Sequence, residues 1–214
     1  KTEDINLQIS RQVAERIEKA LELKVILTRS NDADLTLEER ACIANVNQAD
    51  LLISISVNAS ENPTASGIES YYLNLAAETE VMQGGTGEGN KKLKDTDDMQ
   101  SILSDLMQSS KLRASEILAK SIQGNLVRQV TEGYPTTIDR GIKQAPFYLL
   151  IKTQMPAVAI YPGFLTNPYE CNLLASADYQ KQISIGIVAG LQSFINQRRT
   201  QPLNVAVPKS QPAN

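Results

Sequence analysis

Ile5, Ile9, Val13, Ile17 and Leu21 recur every four residues, which puts them on one stripe of a helix. Lys24 to Thr28 (KVILT) follows as a short apolar run and predicts a buried strand. Leu35 to Gln48 returns to a helical pattern. Thr36 stands there as N-cap, and Glu39 three residues on completes a capping box. Asp50 to Val57 (DLLISISV) and Gly67 to Leu73 (GIESYYL) read as strands. Helix, strand, helix, strand in this order predicts an α/β domain with a largely parallel sheet.

Residues 83 to 98 (QGGTGEGNKKLKDTDD) carry no apolar period and predict a flexible surface loop. The cluster Asp95, Asp97 and Asp98 fails the calcium-loop template, which needs a central Gly and a closing Glu. It reads instead as solvated charge and an N-cap for a helix near Met99. Met99 to Met107 and Lys111 to Val130 predict two helices. Phe147 to Ile151 and Ala157 to Tyr161, joined by a turn ending in Pro156, predict adjacent strands. A last helix is expected from about Ala177 to Asn196, with Ile183, Ile187, Leu191 and Ile195 on one face. Residues 198 to 214 are expected to be an extended tail, because Pro202, Pro208 and Pro212 forbid a helix or a central strand. The tail is either disordered or, through Leu203, Val205 and Val207, docked strand-like on a partner.

Composition narrows the function classes. With 21 Lys+Arg against 24 Asp+Glu, a net charge of -3 points to neither nucleic acid nor a membrane surface. No apolar run is long enough for a transmembrane segment. Cys42 in a helix and Cys171 in a late loop read as two separate thiols, too few for a cysteine zinc site. The 214 residues contain no histidine.

Five segments in order resemble the zinc-dependent N-acetylmuramoyl-L-alanine amidases of bacterial cell-wall metabolism. They are Asp4-Ile-Asn-Leu7; Leu27-Thr-Arg29 with Leu37-Glu-Glu-Arg40; Ala49-Asp-Leu-Leu-Ile-Ser-Ile55; Gly67-Ile-Glu-Ser-Tyr-Tyr72; and Arg140-Gly-Ile-Lys-Gln-Ala-Pro-Phe147 through Met155-Pro-Ala-Val158 to Gly163-Phe-Leu-Thr-Asn-Pro168. The resemblance implies one amidase-like domain over residues 1–197, with a mixed, mostly parallel sheet of about six strands flanked by helices. The family's first strand would lie just before Lys1.

The resemblance also implies a zinc held by a His, a Glu and a second His, with a late Glu as general base. Carried onto this chain, the second His position is Ser56, in Ser54-Ile-Ser-Val-Asn-Ala59. A neutral hydroxyl is a poor zinc ligand. The base position is Tyr161, a phenol and a poor base at neutral pH. The Glu ligand position falls on Thr2, unless a one-residue slip brings in Glu3. The first His position lies upstream. Zinc is therefore not expected here, and no other cofactor is implied.

Ser56 and Tyr161 are candidates to fill a collapsed pocket, with the Tyr161 hydroxyl bonded across to Ser56. Glu69 either meets a ligand amide at the strand-end rim or is simply exposed. Asn58 either hydrogen-bonds a glycan or peptide or serves the structure. The chain is thus expected to be a catalytically inactive amidase-like domain of the periplasm or cell envelope, working as a scaffold or regulator through protein partners. The alternatives are an active amidase with an atypical metal site and a non-cleaving peptidoglycan-binding module.

Overall fold

A computed structural model describes residues 2–73 and 98–200, with side chains over 4–73 and 109–200. The chain runs α1 (Thr2–Leu21), α2 (Leu37–Val46), β1 (Leu52–Ile55), β2 (Ile68–Tyr72), α3 (Asp98–Gly133), β3 (Asp139–Gln144), α4 (Tyr148–Lys152), β4 (Ala157–Tyr161), α5 (Pro168–Ala175) and α6 (Ala177–Thr200). The described strands form one mixed sheet in the order β1-β4-β2-β3. β1 and β4 are parallel, β2 and β3 are parallel, and β2 meets β4 antiparallel.

The four-residue stripe on α1 is buried as its period requires, with Ile9 fully enclosed. It joins Leu118, Ile122 and Leu126 of α3 and Ile183, Ile187 and Leu191 of α6 in the main core, which lies on one face of the sheet. Gln123 of α3 ties that face down: it accepts from Ser70 Oγ at 2.7 Å and donates to the Ile68 carbonyl at 3.0 Å and to Asp139 at 2.6 Å. α3 and α6 touch backbone to backbone. A Cβ on Gly186 would lie 2.6 Å from Cα of Leu126, and one on Gly190 would strike the Ile122 backbone. The capping box on α2 is present, with Glu39 N–H donating to Thr36 Oγ1 at 3.1 Å and Thr36 N–H to the Glu39 carboxylate at 2.8 Å.

Several expectations need correction. Lys24–Thr28 is not a strand and has no ladder partner among the described residues, and Ile26 is exposed. A strand exists only by its neighbour's hydrogen bonds, and apolarity alone does not supply them. Phe147–Ile151 is not a strand; it becomes the short helix α4. Lys111 Nζ donates to the carbonyls of Leu150 and Thr153, satisfying acceptors that a helix end leaves free. The two helices expected between Met99 and Val130 are one continuous element, because Ser109 and Ser110 are weak helix breakers. Cys171 lies in α5 rather than a loop, since Asn167 caps Tyr169 and Glu170 N–H and Pro168 opens the helix. β3 escaped the periodicity altogether, its sequence DRGIKQ being polar and edge-exposed.

Residues 83–97 of the expected loop and the tail residues Leu203, Val205 and Val207 lie outside the described residues. No helix among the described residues is long and apolar enough to cross a membrane.

Candidate functional site

The C-terminal ends of β1 and β4 meet the start of β2 on the sheet face opposite α3. Ser56 follows β1, and its N–H donates to the Ile160 carbonyl at 3.0 Å. Asn6 of α1 clamps this strand end. Its Nδ2 donates to Ser56 Oγ at 3.5 Å, and its Oδ1 accepts from Val57 N–H at 2.9 Å. The expected bond from Tyr161 to Ser56 is therefore replaced by one from Asn6.

Tyr161 instead packs its ring edge-on against Tyr71, centroids 5.5 Å apart, and against Phe147 at 6.2 Å. Tyr71 and Phe147 close the group at 4.9 Å. Such offset and edge contacts suit the ring quadrupoles. Burial first, then neighbouring Tyr71 and Glu69, push the Tyr161 phenol above its ordinary pKa. It stays protonated at neutral pH and takes no proton from water.

Glu69 lies directly across the ladder from Tyr161. The reading of Glu69 as exposed is overturned: the residue is 2% exposed. Four donors converge on its carboxylate. Asn58 Nδ2 at 2.7 Å and Tyr71 OH at 2.9 Å reach Oε1, while Arg140 Nε at 2.7 Å and Lys143 Nζ at 2.6 Å share Oε2. Burial alone would raise the Glu69 pKa. The bonds from Lys143, Arg140 and Tyr71 outweigh it and hold the carboxyl below its ordinary value. Burial, followed by the bond to Glu69 and its charge, pushes the Tyr71 phenol up to about 12.

A bulge aims the two cations. Residues 140 and 143 are an odd number of positions apart, so an unbroken strand would send them to opposite faces. The register slips between Ile68↔Asp139 and Ser70↔Ile142, and Gly141 sits at φ 73°. One extra residue in the left-handed conformation restores both side chains to one face. Arg140 is further held over the Phe164 ring at 5.1 Å, and Lys143 over Tyr71 at 5.6 Å.

Glu69, expected at the strand-end rim, and Asn58, expected to bond a ligand or serve the structure, are thus brought together with each other. Asn58 also exchanges backbone bonds with the loop after β4, donating to Gly163 O and accepting from Leu165 N–H, each at 2.8 Å. Behind it, Glu170 accepts from Gly67 N–H and Phe164 N–H at 2.7 Å each. Burial raises its pKa despite those bonds. Gly67 is required here: at φ 113° a Cβ would sit 2.5 Å from the Ile138 carbonyl oxygen.

Sequence reasoning missed Asn6, Tyr71, Arg140, Lys143 and Glu170 as parts of this site. The one available signal for the cation pair was Gly141, since a glycine inside a strand marks a bulge.

The donor set does not fit zinc. Ser56 offers a neutral hydroxyl already bonded to Asn6, Tyr161 a protonated phenol, and Glu69 a carboxylate filled by four donors. Among the described residues no group of three or more His, Cys, Asp or Glu is placed to hold a metal ion. Thr2 begins α1, with its side chain outside the described set.

Comparison with known proteins gives a consistent picture. A family model described as N-acetylmuramoyl-L-alanine amidase matches residues 1–193. The uncharacterized protein YqiI of Bacillus subtilis is 32% identical over 91% of this chain and 74% of its own length. The N-acetylmuramoyl-L-alanine amidase AmiC of Neisseria meningitidis is 28% identical over 89% of this chain, which spans 46% of that relative's length. Among solved structures, an N-acetylmuramoyl-L-alanine amidase from Clostridium difficile 630 superposes with a TM-score of 0.68 at 31% identity, covering 91% of this chain and 84% of that one. The CwlD amidase of Clostridioides difficile, solved in complex with the GerS lipoprotein, gives 0.67 at 27% identity, covering 90% and 85%.

Proposed function

This chain belongs to the N-acetylmuramoyl-L-alanine amidase family, and we propose that it is a non-catalytic member working as an interaction module in the bacterial cell envelope. The observation that carries this reading is the state of the two positions where the resemblance expects a zinc ligand and a base. Ser56 is clamped by Asn6, and Tyr161 is packed into an aromatic group opposite a carboxylate already filled by four donors. Neither group is free to activate water, so the frame is kept while the chemistry is lost.

A binding role agrees with what remains. Asn58 and Glu69 hold the rim of the former site in one shape, so any contact with peptidoglycan would use the rings and cations around them. The amidase names of the relatives support an envelope location, and CwlD with GerS provides a case of this fold engaged by a protein partner. Among the described residues the outer edge of β1 and the Lys24–Thr28 segment have no ladder partner, and they suit one further strand between them, the family's first, which would complete a sheet of about six.

The test is direct. Protein purified without chelators is analysed for zinc and incubated with purified sacculi. The reading expects less than stoichiometric zinc and no release of stem peptide; either in full amount would overturn it. Pelleting with sacculi without release would assign the peptidoglycan-binding form of the module.

A further inference from the structure

We draw no further inference here: the strongest candidate, the half-exposed cation pair Arg140 and Lys143 on the bulged strand β3, belongs to the site already described, where both side chains are bonded to the buried Glu69 carboxylate.

Discussion

Glu69 and Tyr161 sit directly opposite one another in the antiparallel ladder between β2 and β4. The position where the family resemblance calls for a catalytic carboxylate therefore faces a carboxylate already in use. Tyr161→Glu would set two acids across one ladder rung and break the ring contacts to Tyr71 and Phe147. Like charges at that distance favour protonation of one of them. The expected outcome is a loss of about 1–3 kcal/mol in urea unfolding, with no stem peptide released from sacculi.

Glu69 also sets an acid limit. Its folded pKa is below the ordinary value, so its contribution is present above the unfolded carboxylate value, about 4.3, and is lost as pH falls through the folded value. Glu69→Gln should lower stability at pH 7 by about 1–3 kcal/mol, moderated because Arg140 and Lys143 are each about one-third exposed to solvent. The two unfolding curves should converge as pH falls below the unfolded carboxylate value and through the folded one. Denaturant midpoints collected from pH 3 to 7 check this; a constant gap down to pH 3 contradicts it.

Gly141 decides where Lys143 points. Gly141→Ala places a Cβ in the left-handed region and should cost about 1–2 kcal/mol. Deleting Gly141 should cost more, because the uncompensated register turns one of the two cations away from Glu69. Stability measured for both variants, with the Tyr71 phenol followed by ultraviolet titration, separates strain from loss of the ion group. The deletion should also move the Tyr71 titration, whereas the alanine variant should move it little.

Two helical glycines should respond in opposite directions. Gly186→Ala forces a Cβ to within 2.6 Å of the Leu126 backbone and should destabilise by about 1–3 kcal/mol. Gly124 on α3 has nothing within 4 Å, so Gly124→Ala should stabilise by up to about 1 kcal/mol. Thermal melts of the two variants suffice.

What could be read in the sequence follows the range of the forces involved. The α1 stripe, the α2 capping box and the strands β1, β2 and β4 rest on local period and local bonds, and they stand in the structure. Phe147–Ile151 reads as a strand because five apolar residues fit either period, while the carbonyls at the end of α4 find a partner far along the chain in Lys111. β3 was missed because its side chains serve an ion group rather than a core. Ser56 and Tyr161 were identified by position, but their partners Asn6 and Tyr71 were not, since those contacts depend on strand order. Glu69 shows the limit most clearly: an acid in a strand reads as exposed until the register brings four donors to it.

The packing around Tyr161 acts as a ratchet on the lineage. By the family resemblance, a zinc site here needs an imidazole at Ser56, a carboxylate ligand near Thr2 and a carboxylate base at Tyr161 besides the first His, and a change at Ser56 or Tyr161 alone breaks a contact that now supports the fold. Each single-step revertant is expected to unfold at a lower denaturant concentration than the present chain, without gaining the remaining groups a zinc site needs. Ser56, Glu69 and Tyr161 are thus tied through their packing, and a change at any one of them is expected to be tolerated only with changes at the others.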